Sequence, residues 1–217
     1  PSVSAAWRIS EETFMRRTRS WLDNLKFRLS YGTLGNQYTS SLYPYMATIE
    51  PTTSIMPIGG SITSAMRQNS ASNRYITWET IKMTNLGLDM GLFNNKLNMS
   101  FDYFIKDTDD ILLRVELPGV LGVTEPYQNA GKVRNKGWEL ALSWKDKIGK
   151  NFTYGVDFNL SDVKNEVVSM GNTADDFSGD QIRAVGYPID AFWGFQADGL
   201  YTVDDFDYDV NTGKYTP

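Results

Sequence analysis

The sequence predicts an all-β chain, an antiparallel up-and-down meander of about seven strands, each long enough to cross a membrane. Three observations support this prediction. Apolar and polar residues alternate with a period of two, which is typical of strands with one apolar face. The alternating stretches span roughly 9 to 14 residues, the length that a tilted strand needs to cross a bilayer, whereas soluble strands average about 5 to 6. The connections are short and long in turn.

The composition agrees with this class and excludes several others. Among 217 residues are 12 Tyr, 11 Phe and 6 Trp, which strands and membrane interfaces both favour. The absence of Cys and His removes disulfides, thiol nucleophiles, histidine bases and the usual zinc, copper or haem ligands. A net charge of −5 without a basic run argues against a nucleic-acid partner. No apolar stretch approaches the ~20 residues of a membrane helix.

The first two predicted strands flank a connection with helical character. Apolar residues alternate over 3–9 and again over 25–31. Between them, 11–24 contains Phe14 and Trp21 and is expected to hold a short helical turn. This stretch is the first of the short connections.

The clearest alternation forms a hairpin in the middle of the chain. Residues 86–92 alternate and 96–106 alternate again, with Phe104 as the exception. A helix would instead need apolar residues three and four apart. The turn at 93–95 is Phe-Asn-Asn, and Asn tolerates the positive φ that hairpin turns require. We expect the first strand to extend back to Trp78.

A second hairpin repeats this design. Residues 138–144 and 152–160 alternate, and a short polar turn at 146–151 separates them. A seventh strand is predicted over 191–201, where the pattern is less regular.

The connections alternate in length along the chain. Short ones are expected at 10–24, 93–95 and 146–151, and long ones at 33–76, 107–130 and 162–190. Outer-membrane barrels place short turns on the periplasmic side and long loops outside. An aromatic girdle is then expected at the short-turn ends, formed by Trp7, Trp21, Phe93, Trp144 and Phe152. Alternation alone fits a large soluble antiparallel protein equally well.

Several stretches, in order along the chain, resemble one known family. They are PSVSAAWRISEE at 1–12, WLDNLKFRLSYG at 21–32, GNQ at 35–37, TWET at 77–80 with TNLGLD at 84–89, FDY at 101–103, NAGKVRNKGWE at 129–139, and GYPI at 186–189 with DG at 198–199. The set is similar to the C-terminal barrel portion of SusC/RagA-type TonB-dependent outer-membrane transporters.

The resemblance implies a 22-stranded transmembrane barrel with an N-terminal plug, located in the outer membrane of a Gram-negative cell. Such transporters pair with a SusD-like surface lipoprotein that acts as a lid, and they import glycans or peptides with energy from TonB. Residues 1–217 would be a partial barrel domain without plug, TonB box or terminal strand, so TonB would act through the absent plug. Because its edge strands lack partners, this segment alone is expected to aggregate or to need detergent.

This interpretation makes the chain part of a transporter and not an enzyme, with contacts to membrane lipid, to the lid protein and to an oligosaccharide or peptide. A soluble carbohydrate-binding β-domain is the alternative, and a secreted β-rich hydrolase is a third. No catalytic residue, cofactor or metal site is predicted.

Candidate contact residues lie in the first long loop. Tyr38, Tyr43, Tyr45 and Tyr75 stand among Ser, Thr and Asn. Aromatic faces with polar neighbours suit sugar rings, which offer apolar faces and polar edges. Ordinary packing between outer loops, or against the lid protein, explains these residues as well.

Carboxylates are frequent, but none form a recognisable catalytic or metal motif. Asp107, Asp109 and Asp110 are interpreted as a solvated loop start, because a glycosidase needs two carboxyls at a defined separation. The acidic stretch 205–213 resembles a calcium loop, yet Val210 and Thr216 stand where an EF-hand needs Gly and Glu. That stretch is interpreted as a polar hairpin with its turn at 211–213.

Four further polar residues are expected on the inward face of the strands. They are Asp89, Glu139, Asp157 and Asn159. These side chains could line a passage, hydrate the lumen or contact the plug.

Overall fold

The computed structural model describes residues 1–39, 43–53, 64–115, 117–177, 179–197, 199–200, 202, 205–210 and 213–216. Its main feature is a six-stranded antiparallel sheet in the order β1-β2-β5-β6-β7-β8. The strands are β1 Ser2–Arg8, β2 Leu22–Asn36, β3 Ile49–Thr53, β4 Ser64–Gln68, β5 Glu79–Leu92, β6 Leu97–Arg114, β7 Tyr127–Ile148, β8 Phe152–Met170, β9 Gln181–Ile182, β10 Ala191–Phe192, β11 Asp207–Asp209 and β12 Lys214–Thr216. Each long strand pairs with the next long strand, so the predicted meander is confirmed.

The register brings the alternating apolar residues of all six strands to one side of the sheet, called here the apolar face, whereas Phe104 and Val163 lie on the other side. One row across the sheet consists of Trp7, Phe27, Leu88, Phe101, Leu140 and Leu160. The opposite side, the polar face, carries the alternating polar residues. Many apolar-face side chains are exposed, and the buried apolar residues of the described part are Leu22, Val167, Ile182 and Ala184. The sheet is therefore a single-layer wall whose apolar face has no protein cover within the described residues.

The strands continue into the predicted long loops. Strands β2, β5, β6, β7 and β8 are 14 to 22 residues long. The expected loop at 107–130 is wrong at both ends, because β6 runs on to Arg114 and β7 begins at Tyr127. In these extensions charged side chains such as Asp107 and Arg134 stand on the face that carries apolar residues elsewhere. The composition is therefore typical of a loop, although the backbone remains paired. The expected loop at 33–76 also contains β3 and β4, which pair as a hairpin.

The short connections lie where they were predicted, but two of them are shorter than expected, since β7 extends to Ile148 and β2 begins at Leu22. Two 3-10 helices, Ile9–Glu11 and Thr13–Thr18, form the expected helical turn between β1 and β2. Between β5 and β6, Phe93, Asn94 and Asn95 all have φ of 57 to 58°. This left-handed backbone is the conformation that Asn tolerates better than most residues.

Aromatic residues gather at the short-turn end, as expected for a girdle. The Trp7 indole donates a hydrogen bond to Glu12 at 2.9 Å, and the Trp21 carbonyl accepts one from the Phe93 amide at 2.9 Å. The Trp144 indole lies 3.3 Å from the Tyr154 hydroxyl oxygen, and Tyr154 in turn stacks beside Phe152 with ring centroids 6.4 Å apart.

The predicted seventh strand over 191–201 is wrong. Within the described residues this region has only the two-residue β10, which pairs with β9 and not with the six-stranded sheet. Trp193 turns back onto Phe177, with ring centroids 5.4 Å apart. The preceding segment reaches β8 instead, since Val167 exchanges backbone hydrogen bonds of 2.8 Å with Gly186 and Tyr187.

Candidate functional site: the polar face and the long-loop end

An arginine on the polar face joins three strands. Arg28 of β2 donates from Nε to Asp89 Oδ2 at 2.9 Å and from Nη2 to Asp89 Oδ1 at 3.0 Å, across to β5. The same Nη2 donates to Asp102 Oδ2 of β6 at 2.9 Å. The Ser100 hydroxyl donates to Asp89 Oδ1 at 3.1 Å. These charge-assisted bonds fix the three strands to one another in a single register.

Glycine at position 87 makes this arrangement possible. Gly87 lies between Arg28 and Asp102 in the same cross-strand row. A Cβ atom there would come within 2.5 Å of the guanidinium carbon of Arg28. The guanidinium therefore occupies the space above Gly87, and a side chain at this position would have to displace it.

The polar face is rich in acceptors beyond the arginine. Asp102 stands directly opposite Glu139 of β7 in the register, and Asp102 Oδ1 is buried without a hydrogen-bond partner in the described part of the chain. A hollow of about 370 Å³ beside them is lined in part by Ser100, Asn159 and Ser161. Such a surface can bind water and hydrogen-bonding solutes.

The four residues expected to face inward do share this side of the sheet. Asp89, Glu139, Asp157 and Asn159 all lie on the polar face. Arg28, Gly87 and Asp102 were not singled out from the sequence. The pairing of Gly87 with Asp102 could be inferred locally, because the four-residue turn at 93–96 sets the register of β5 with β6. The contact with β2, 61 and 74 residues away along the chain, had no local signal.

The four candidate tyrosines lie at the long-loop end, as one pair and two separate residues. Tyr43 and Tyr45 meet edge to face, with ring centroids 6.3 Å apart. Tyr75 is 90% exposed and lines a hollow of about 430 Å³ together with Asn73, Gln128 and Asn129, among others. Tyr38 is 82% exposed just beyond the end of β2.

Contacts of Asn73 link Tyr75 to the segment that holds Tyr43 and Tyr45. The Asn73 side chain accepts from the Tyr75 amide at 3.0 Å and donates to the Tyr127 carbonyl at 2.9 Å. The Asn73 amide lies 3.4 Å from the Pro44 carbonyl, between Tyr43 and Tyr45. The exposed ring of Tyr75 can stack on a sugar or peptide group at this hollow. The carboxamides of Asn73 and Asn129 are already bonded to backbone groups and shape the hollow.

A network of ion pairs crosses the apolar face where its apolar stretch ends. Asp109 Oδ2 and Oδ1 lie 2.8 Å from the Nζ atoms of Lys82 and Lys132, respectively. Asp107 is bound by both Nε and Nη2 of Arg134 at 2.6 Å. These residues are in β5, β6 and β7, so interpreting Asp107 and Asp109 as a loop start was wrong. Asp110 adopts φ of 60° in a register shift of β6.

These cations set the charge state of both carboxyls, which lie beyond the apolar stretch. Hydrogen bonds from Arg134 lower the pKa of Asp107, outweighing its partial burial. Hydrogen bonds from Lys132 and Lys82 lower the pKa of Asp109 in the same way. A general acid needs a raised pKa, so neither carboxyl is suited to that role.

The described residues hold no group of three or more Asp, Glu, His or Cys side chains placed to bind a metal ion. In the acidic stretch, β11 and β12 pair as a hairpin, and Gly213 with φ of 66° donates to the Asp209 carbonyl at 2.8 Å. The expected turn residues 211 and 212 lie outside the described residues. Among the helices that are described, none has the length and apolar character to cross a membrane.

Comparisons with known proteins agree with this architecture. The family model of the TonB dependent receptor-like β-barrel matches residues 1–217. TonB-dependent receptor P3 of Formosa agariphila is 31% identical over 216 residues, covering 95% of this chain and 21% of that protein. TonB-dependent receptor SusC of Bacteroides thetaiotaomicron is 29% identical over 213 residues, covering 90% of this chain and 21% of that protein.

Solved structures show the same relationship. The structure of the RagAB peptide transporter matches with a TM-score of 0.71 and 25% identity, covering 88% of this chain and 20% of that one. The open-open state of the RagAB peptide importer matches with a TM-score of 0.74 at 25% identity, covering 86% of this chain. This chain spans about a fifth of the length of the relatives that it matches. A match over its whole length, with an antiparallel wall of long two-faced strands, shows that the chain belongs to the TonB-dependent receptor β-barrel family and is SusC-like.

Proposed function

We propose that this chain forms part of the barrel wall and outer loops of a TonB-dependent importer in the outer membrane of a Gram-negative cell. The single observation that carries the proposal is the division of the sheet into an uncovered apolar face and a hydrogen-bonded polar face. Lipid would contact the apolar face, and the polar face would line the lumen, as in barrels of this class.

The dimensions of the apolar face support this placement. On β7 the apolar stretch Trp138–Trp144 is bounded by Lys136 at one end and Asp146 at the other. Ten residue steps at ~3.3 Å make ~33 Å along the strand, which is ~25 Å in height at a tilt of ~40°. The lipid-facing band of outer-membrane barrels is ~25 Å tall.

In this proposal residues 1–217 are a section of the barrel domain, and the plug and the TonB contact belong to the rest of the transporter. The long-loop end faces outward and meets a SusD-like surface lipoprotein that closes over the substrate. Transport proceeds by binding under this lid followed by displacement of the plug, and no bond is made or broken. The likeness to SusC and to the RagAB structures supports the partner and the transport role.

We further propose that the cargo is a glycan, with a peptide as the alternative, and that Tyr38, Tyr43, Tyr45 and Tyr75 contact the cargo or the lid. The hollow beside Tyr75 supports a glycan, because its exposed ring is surrounded by carboxamides and carries no charged residue among its lining side chains. A peptide transporter would be expected to offer charged partners for peptide termini.

The decisive experiment uses the full-length transporter together with its lipoprotein, in cells lacking the native pair. Uptake of labelled oligosaccharides and oligopeptides is measured for the wild type, Tyr75→Ala and the matched control Tyr75→Phe. The ring is worth roughly 1 kcal/mol in stacking, so we expect Tyr75→Ala to weaken glycan uptake about fivefold and Tyr75→Phe to retain it. Peptide uptake alone would replace the glycan proposal. Recovery of the protein in the soluble fraction would support the carbohydrate-binding domain instead.

A further inference from the structure

Three cations follow one another on the apolar face of β7, directly beyond its apolar stretch. Lys132, Arg134 and Lys136 occupy successive alternate positions, and Trp138 occupies the next. Strand β7 runs from the connection after β6 down to the turn before β8, so these cations lie at the long-loop end. The lipid-facing stripe thus changes from aromatic and aliphatic side chains to cations within two residues.

Two of these cations are already paired. Arg134 binds Asp107 through two hydrogen bonds of 2.6 Å, and Lys132 Nζ lies 2.8 Å from Asp109 Oδ1. Lys82 shares Asp109 from the other side at 2.8 Å. Ion pairs in this network join three cations to two carboxylates, and Glu166 of β8 lies directly opposite Arg134 as a third.

Lys136 differs from its neighbours because it makes no ion pair with any residue that the structure describes. Its direct cross-strand neighbours are Ile105 on β6 and Lys164 on β8, and both lysines are exposed. Like charges directly opposite each other destabilise a sheet. The nearest carboxylates of β8, Asp162 and Glu166, belong to the adjacent rows and face Trp138 and Arg134. The lysine row itself is therefore cationic and has no anion of its own.

We infer that Lys136 and Lys164 bind the phosphate of a phosphorylated glycolipid in the outer leaflet, whose acyl chains lie on the apolar residues below. The inference rests on the proposed function, which places the long-loop end at the outer surface. The position supports a lipid over a free anion, because Trp138 and Leu140 continue the same stripe downward from Lys136. A phosphate there would relieve the repulsion between the two lysines, as basic residues at a membrane boundary do with anionic headgroups.

The test uses the full-length transporter, purified in detergent and stripped of lipid. Native mass spectrometry measures its binding of a phosphorylated lipid A-type glycolipid, of the same glycolipid after removal of its phosphate, and of phosphatidylglycerol. A basic residue near an anionic surface contributes about fivefold in affinity. We therefore expect Lys136→Gln to weaken binding of the phosphorylated glycolipid about fivefold and the double variant with Lys164→Gln about 25-fold.

Two matched variants serve as controls. Lys145→Gln makes the same charge change on the polar face of β7 at the short-turn end, and it should bind like the wild type. Lys136→Arg keeps the charge and should retain binding. Heat-modifiable migration in gels checks that each variant is folded, and folding is expected because removing one of two opposed lysines relieves repulsion.

Three results would overturn the inference: equal binding of the phosphorylated and dephosphorylated glycolipids, unchanged affinity in the double variant, or an equal loss in Lys145→Gln. Tighter binding of phosphatidylglycerol than of the glycolipid would overturn the choice of lipid. Membrane fractionation and uptake in the same cells separate this inference from the proposed function. A transporting outer-membrane protein with phosphate-independent lipid binding would refute the lipid site alone.

Discussion

Substituting arginine at two adjacent positions of β7 tests which side of the wall faces lipid. Leu140 lies on the apolar face between Phe101 and Leu160, whereas Ala141 lies on the polar face between Ser100 and Asn159. Leu140 is four residues from Lys136 and six from Asp146, which places it ~13 Å and ~20 Å along the strand from the ends of the apolar stretch. An arginine there cannot bring its whole charged group to either interface.

The expected cost follows from this depth. Arginine on the lipid face of a barrel costs ~2–4 kcal/mol near the midplane, which lowers the folding equilibrium constant by about 30- to 900-fold. Arginine at position 141 would meet water and the carboxylate of Asp89, which lies in the same row two strands away. We therefore expect Ala141→Arg to change the free energy of unfolding by less than ~0.5 kcal/mol, as for most surface substitutions.

The assay is reversible folding of the full-length transporter into lipid vesicles over a denaturant series, with heat-modifiable gel migration as the readout of the folded fraction. The two variants have the same charge and differ by one residue in position, so strand propensity and net charge are matched. Equal free energies of unfolding for Leu140→Arg and Ala141→Arg, or a larger loss for Ala141→Arg, would refute the assignment of the faces.

Other substitutions test individual contacts. Gly87→Ala should destabilise the barrel by ~1–3 kcal/mol, because the added Cβ displaces the guanidinium of Arg28 from its carboxylates. The control is Gly155→Ala, whose Cβ would make ordinary contacts from 3.4 Å and which should be nearly neutral in the same vesicle assay. The lowered pKa values of Asp107 and Asp109 predict stability that is present above pH ~4 and is lost as pH falls through the folded-state values; a melting temperature independent of pH between 5 and about 2 would contradict this. Asn94→Ala should cost ~1 kcal/mol, since alanine pays more than asparagine for φ of 58°, and Asn94→Gly should restore stability.

Alternation predicted the strands of the wall because the polarity of each residue shows which face of the strand it occupies. No information from neighbouring strands is needed for that. The apolar series from Leu97 to Ile105 is sufficient to identify β6 and the face that it presents. The same reasoning failed past Asp107, where charged residues replace apolar ones on the same face. Cross-strand ion pairs keep that backbone in the sheet, and they join Asp107 to a residue 27 positions away. Pairing at that distance leaves no local trace in the sequence.

In the region after β8 the error is the reverse, because a strand was predicted where the chain does not join the six-stranded sheet. The stretch 191–201 was predicted to be a strand although its alternation is less regular than that of the other strands. Trp193 finds a partner in Phe177, and the backbone of the preceding segment pairs with Val167. Tertiary contacts decide the conformation of this stretch, and the contacts involve residues that no periodic pattern connects.

For the candidate site, the sequence identified exposed tyrosines but not their grouping. Tyr43 and Tyr45 meet because they are two residues apart, whereas the hollow beside Tyr75 depends on Gln128 and Asn129, which come from the start of β7. The polar face was predicted as a set of residues and confirmed as a face. The bridging role of Arg28 required the register of three strands at once.

The length of β6 and β7 beyond the apolar stretch has a mechanical consequence. From Lys136 to Tyr127 the hydrogen-bonded ladder continues for nine residues, or ~30 Å along the strand. In the proposed orientation this part of the wall stands clear of the bilayer as a stiff rim, and the outer loops are carried on its upper edge. A cargo could then be fully enclosed between rim and lid before any of it enters the membrane plane. The size of the cargo would be limited by the height of this rim and not by the thickness of the bilayer.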